Sequence, residues 1–257
     1  MNINLNADLG ESFGAYQMGN DSLLLDVVKS ANVACGFHAG DPLIMTQTLE
    51  MALLKGVSVG AHPAFPDLQG FGRRAMQLSP KELEAAIRYQ VGALDGIARA
   101  MGSRVSHVKP HGALNNMACE DAALAKVVAE AIRDYKSDMI LLAPALSELA
   151  KAGTAAGLPV ALEVFSDRAY TDSGHLVSRS QPGAVLHDSE ECVAHVLRMV
   201  EQGGIVSIDG KCLPTPFHSV CVHGDNLHAA ETANKVRQGL EAVGCTIVTL
   251  PEIDLSC

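Results

Sequence analysis

The sequence predicts an α/β protein whose parallel strands close into a (β/α) barrel. Short β-type runs alternate with amphipathic helical stretches along all 257 residues. Most of the runs are nearly continuous in apolar character, as strands buried on both faces of a parallel sheet are. Seven to nine of them over this length suit a barrel, whose typical size is roughly 250 residues. A doubly wound open sheet is the alternative, because periodicity does not report closure.

The predicted strands lie at residues 2–6, 32–35, 57–60, 105–108, 139–142, 160–164, 205–208, 219–222 and 246–249. Four helices between them announce their ends. Asp41 followed by Pro42 reads as an N-cap and first helical residue, with Ile44, Leu49 and Leu53 running to Gly56. Ser79 with Glu82 reads as a capping box ahead of Leu83, Ile87, Val91 and Leu94. Asp188 with Glu191 repeats the device before a helix that stops at Gly203, and a last helix covers about 229–243. Residues 61–78, interrupted by Pro63, Pro66, Gly70 and Gly72, are expected to stay outside the core. With no composition break or linker, residues 1–257 are expected to form one barrel domain.

Composition narrows the function classes. The net charge of −10 gives nothing to counterion release on a polyanion, so nucleic acid is excluded as an expected partner. Seven scattered cysteines without a C-x-x-C pair argue against a disulfide framework or a structural zinc site. No apolar run reaches membrane-spanning length and the start lacks an export signal, so a cytoplasmic protein with no membrane partner is expected.

The chemistry gathers where strands end. Asp8 and Glu11 follow the first strand, His38 the second and His62 the third. Lys109 and His111 flank Pro110 after the fourth, Glu163, Asp167 and Arg168 surround the end of the sixth, and His223 and Asp225 follow a later one. In α/β folds these ends share one rim, where active sites form. Each residue alone reads equally as a cap or turn residue, and Asp41 is taken as a cap. Together they predict a convergent acid–base site. Asp8, His38 and His62 could bind one divalent metal, against a hydrogen-bonded acid–base cluster without metal. Glu163, Asp167 and Arg168 suit anion binding and water activation, or an internal salt bridge.

Gly70 and Gly72 with Arg73 and Arg74 mimic a dinucleotide fingerprint, but no strand precedes them, so that reading fails. A loop holding phosphate or carboxylate oxygens and a mobile surface loop both remain open there. Residues 204–211 lack the Walker A spacing, no G-x-S-x-G elbow occurs, and Cys221 inside a strand is expected to pack.

The strings NADLGESFGAY, NVACGFHAGDP, GAHPAFPDLQGFGRR, VKPHGALNN, FSDRAYTDSGHLVSR and VCVHGDN, in this order, resemble the LamB/YcsF family across nearly the whole chain. The resemblance implies a deacetylase-like barrel, seven-stranded or otherwise irregular. It also implies the A-subunit role in ATP-dependent 5-oxoprolinases, with ATP as co-substrate and subunits B and C as partners cleaving 5-oxo-L-proline to L-glutamate. Under it, Asp8, Glu11 or Glu163 would activate water, and His38 or His111 would protonate the ring nitrogen. Lys109, Arg168 and Arg179 would hold carboxylate or phosphate oxygens. Asn115 and Leu227 depart from the family's usual Tyr and Pro, which removes a phenol hydroxyl at the first position. Two other readings stand beside it: a metal-dependent deacetylase or amidohydrolase on N-acyl sugars, and a non-catalytic 5-oxoproline-binding component.

Overall fold

The computed structural model describes residues 1–222 and 229–255. β1 (Asn2–Leu9) leads through the short α1 (Asp21–Leu25) to β2 (Ser30–Ala34) and α2 (Pro42–Leu54). Asp41 caps α2 as expected, accepting from the backbone N–H groups of Leu43 and Ile44. β3 (Ser58–His62) precedes α3 (Pro80–Ala100), where Ser79 and Glu82 form the capping box. Then come β4 (His107–Val108), α4 (Gly112–Glu120), α5 (Ala122–Tyr135), β5 (Ile140–Pro144), α6 (Glu148–Ala155) and β6 (Val160–Phe165). Asp188 caps α7 (Ser189–Gln202), which stops at Gly203 with a φ of 63°, the left-handed turn that releases a helix. The hairpin β7 (Gly204–Val206) and β8 (Cys212–Pro214) follows, then β9 (Ser219–Val222), α8 (Ala229–Ala242), β10 (Thr246–Val248) and a 3-10 turn.

β1 to β6 pair in chain order, all parallel, and β9 pairs with both β6 and β1. Seven strands therefore close the predicted barrel, and the open sheet is excluded. Two of the nine sequence runs lie outside the closure. The run at 205–208 becomes β7, antiparallel to β8 and packed on α7. The run at 246–249 becomes β10, which pairs with residues Asn2, Ile3 and Asn4 of β1. Their apolar character comes from packing on neighbours, which hydropathy does not distinguish from barrel membership.

Residues 61–78 correct the expectation of a segment outside the core. Beyond the end of β3 at His62 they are irregular, yet Ala64, Phe65 and Asp67 are buried. The Gln90 side chain accepts from Ala64 N and donates to Ala64 O, both at 2.9 Å, replacing the ladder bonds that an irregular backbone lacks. Gly72 lies so close to the barrel mouth that a Cβ there would stand 2.8 Å from His111 Cδ2 and His38 Cβ.

The barrel interior is polar at its centre. Strand alternation along β1 turns Asn4, Asn6 and Asp8 to one face and Ile3, Leu5 and Ala7 to the other. Asn6 donates to Ser219 Oγ and Glu163 Oε1, both at 2.8 Å, and accepts from Asn32 at 2.7 Å. Asn32 Oδ1 only accepts, so His107 Nε2, 2.9 Å away, is the donor. Burial and the Lys109 charge push the His107 pKa down to about 3, which keeps the ring neutral. Gly60 leaves the space this ring occupies, since a Cβ there would enter it. Gly60→Ala should therefore lower stability by about 1–3 kcal/mol through overpacking. Gly96→Ala on α3, where a Cβ meets nothing within 4 Å, should be neutral or stabilising by up to about 1 kcal/mol. Denaturant midpoints of the two variants check both signs.

Candidate functional site

Parallel closure brings the carboxyl ends of the strands to one mouth, and the mouth opens into a cavity of about 430 Å³. Asp8, Glu11, His62, Lys109 and His111 from the strand ends line it, together with Arg168 and Arg179 from the loop after β6.

Lys109 forms the floor. Only 3% of it is exposed, and its ammonium lies 3.1 Å from Asp8 Oδ1 and 2.9 Å from Glu163 Oε1. It also reaches Asn6 Oδ1 at 3.3 Å and Cys221 Sγ at 3.1 Å. Burial alone would lower the Lys109 pKa, but the carboxylates of Asp8 and Glu163 carry it well above its ordinary value. The group is a fixed cation. Cys221 packs against it as expected, and burial raises the thiol pKa well beyond its usual range. Asp8 Oδ1 also accepts from Asn32 at 2.9 Å, while Asp8 Oδ2 lies 3.3 Å from His62 Nε2.

Three imidazoles stand above this floor. His38 stacks on His111 with ring centroids 3.8 Å apart, and His62 meets His111 edge-on. His62 Nδ1 lies 2.7 Å from the Lys109 carbonyl, and His111 Nε2 lies 2.9 Å from the Phe71 carbonyl. A carbonyl only accepts, so each of these nitrogens carries a proton. Burial and the neighbouring histidines push the His111 pKa down to about 2 and hold His38 well below its ordinary value. His38 Nε2 and Glu11 Oε1 are 3.1 Å apart. The donor atoms of Glu11, His38, His62 and His111 all lie within 4.8 Å of one another.

The sequence expectations sort accordingly. Asp8, Glu11, His38, His62, Lys109, His111 and Glu163 converge. Glu163 does so from below: it is fully buried, bonded to Lys109 and Asn6 rather than grouped with Asp167 and Arg168. Alternation along β6 turns it into the barrel. The four donors that cluster most tightly include Glu11 and His111, not Asp8. Arg73 lines the cavity and lies 5.0 Å from the Phe71 ring centroid. Arg74 instead pairs with Asp67 and is mostly exposed, and Asp167 stays off the cavity wall. Arg168 lines the cavity, but its guanidinium donates to the carbonyls of Val177 at 2.8 Å and Ala184 at 3.3 Å, clasping its own loop. Arg179 lines the cavity. His223 and Asp225 lie outside the described residues, as does Leu227.

Sequence reasoning missed the interior residues Asn6, Asn32, His107 and Ser219, which fix the floor. A signal existed for one of them. The order Asn4, Leu5, Asn6, Ala7, Asp8 alternates polar and apolar residues, the mark of a strand with one polar face. Asn115, in place of the usual Tyr, lines the cavity.

The chain and its fold have known counterparts. The chain is 62% identical to the 5-oxoprolinase A subunit of Azoarcus sp. (strain BH72), over 98% of this chain and 99% of that one. It is 52% identical to the protein of the same name from Gluconobacter oxydans (strain 621H), over 96% of this chain and 98% of that one. The crystal structure of a lactam utilization protein from Thermus thermophilus superposes with a TM-score of 0.92 at 42% identity, over 97% of this chain and all of that one. A peptidoglycan N-acetylglucosamine deacetylase catalytic domain from Eubacterium rectale shares the fold alone, with a TM-score of 0.52 at 15% identity, covering 99% of this chain and 90% of that one. Residues 3–254 match the LamB/YcsF family, and the chain belongs to that family.

Proposed function

We propose that this chain is the A subunit of an ATP-dependent 5-oxoprolinase, which opens the lactam ring of 5-oxo-L-proline to L-glutamate together with subunits B and C. The observation that carries the reading is the cavity itself. It brings two carboxylates, Asp8 and Glu11, the fixed Lys109 cation and the arginines Arg73 and Arg179 into one lining, in a chain 62% identical to a protein of that name. The deacetylase alternative has only the fold behind it.

A five-membered lactam is a resonance-stabilised amide, so its hydrolysis gains from coupling to ATP. Phosphoryl transfer to the lactam oxygen makes the ring carbon electrophilic. Water then adds to that carbon, the C–N bond breaks, and the ring nitrogen takes a proton. A second water releases phosphate from the resulting acyl phosphate. The first segment of this sequence is assigned to subunits B and C, in keeping with the missing Walker A spacing here. A cytoplasmic location follows on this reading from ATP as co-substrate.

The geometry narrows the roles within this chain. Glu163 has no face on the cavity, so the base is Asp8 or Glu11, with Asp8 favoured by its contacts with Lys109 and Asn32. Lys109 supplies positive charge beside Asp8, where an oxyanion develops. The neutral His111 ring already donates its Nε2 proton to Phe71, and His38, also held neutral, does not line the cavity, which argues against both as the acid; solvent fills that role. Arg179 and Arg73 offer guanidinium groups to a substrate carboxylate. The reading holds with or without a divalent ion, whose donors would be Glu11, His38, His62 and His111.

Reconstitution with subunits B and C tests the assignment. Asp8→Asn should cut ATP-coupled glutamate production by about 10²–10⁴-fold, the usual worth of a general base. Full turnover by that variant would remove Asp8 from the mechanism. Arg179→Ala should raise the KM for 5-oxoproline about tenfold with kcat held, as loss of a charge-assisted hydrogen bond does. An equal loss in kcat at unchanged KM would place Arg179 at the reacting centre instead.

A further inference from the structure

We infer that Glu11, His38, His62 and His111 form a binding site for one divalent transition-metal ion of the zinc or cobalt type. Proton positions come first. The Lys109 and Phe71 carbonyls fix a hydrogen on His62 Nδ1 and on His111 Nε2. With a single proton on each ring, the opposite nitrogens, His62 Nε2 and His111 Nδ1, are the lone-pair sites. They face each other at 2.9 Å, a contact in which two lone pairs repel unless a positive charge sits beside them.

Two further donors complete the cluster. Glu11 Oε1 is 3.5 Å from His111 Nδ1 and 3.1 Å from His38 Nε2. Metal-binding histidines characteristically donate their other N–H to a backbone carbonyl or carboxylate, which fixes the ring's tautomer and direction. His62 and His111 both do so. His38 Nδ1 is buried without a partner among the described residues, so nothing holds a proton on that side of the ring.

The surroundings keep the donors in place. His38 and His62 are each 1% exposed, and the loop at Gly72 passes so close that a Cβ there would stand 2.8 Å from His111 Cδ2 and His38 Cβ. Three imidazole nitrogens with one carboxylate oxygen favour borderline transition ions over magnesium or calcium, which prefer oxygen. Asp8 stands outside the donor set because Lys109 and Asn32 engage its Oδ1. Such an ion would act as a Lewis acid at the cavity wall. The competing arrangement is a second proton on His62, shared with Asp8 and His111 and needing no metal.

Metal binding by the isolated full chain separates the two arrangements without reference to the lactam. Chelator-treated protein is titrated with Zn²⁺ by calorimetry and with Co²⁺ by visible absorption. The inference predicts one equivalent of each ion and a cobalt d–d band perturbed by imidazole ligation. His111→Ala and Glu11→Gln should each weaken binding, the former by more than about a hundredfold, while Asp8→Asn retains it. Circular dichroism confirms that each variant is folded, and Glu11→Gln carries the test should His111→Ala fail to fold. Absence of a stoichiometric ion in the wild-type chain would overturn the inference. So would binding that survives Glu11→Gln and disappears with Asp8→Asn.

Discussion

The site depends on one buried ammonium. Lys109 sits at the centre of a closed barrel, out of water, and is held there as a cation by Asp8 on the cavity side and Glu163 beneath. Removing a lysine from solvent is costly, and the cost is offset only where opposite charges and acceptors surround the group. Asn6 and Cys221 supply the remaining contacts. The chain Ser219, Asn6, Asn32 and His107 then fixes those partners in turn. A barrel interior filled with aliphatic side chains would be simpler to stabilise. Here it is given over to a polar network that sets the floor of the cavity.

A second consequence follows for the imidazoles. Burial and mutual repulsion hold His38 and His111 neutral, so the upper wall presents lone pairs and fixed N–H groups rather than positive charge. The cations that line the cavity are Lys109 at its floor and the arginines of its loops, Arg73, Arg168 and Arg179. Lys109 thus serves both sides of the chemistry, held against Asp8 at 3.1 Å while it carries positive charge into the floor of the cavity. Arg168, which looks like a ligand-binding arginine in the sequence, serves the cavity by clasping the loop that walls it.

The sequence made much of this legible because the relevant signals are local. Asp41, Ser79 and Asp188 cap helices where their side chains say they should, and polar residues clustered after strands mark a common mouth. The parts it hid depend on distant contacts. Glu163 reads as a rim carboxylate until strand alternation and closure turn it toward Lys109, which is 54 positions earlier in the chain. Arg74 reads as an anion binder until Asp67 engages it. His107 carries no local mark, because its partner Asn32 lies 75 positions away and the glycine that makes room for it sits on a neighbouring strand. The alternation of parallel strands and helices was legible from periodicity, whereas the closure of the sheet, and with it the identity of the floor, was not.

The claim that a paired, buried Lys109 organises the site is tested most directly by a double-mutant cycle in chemical denaturation, using Lys109→Met, Glu163→Gln and the combined variant. Contact between two buried charged groups should appear as a coupling energy of about 1–3 kcal/mol, with the combined variant less destabilised than the two single losses added together. Strict additivity would mean that the two side chains do not depend on each other, and a barrel floor organised by their pairing would be contradicted.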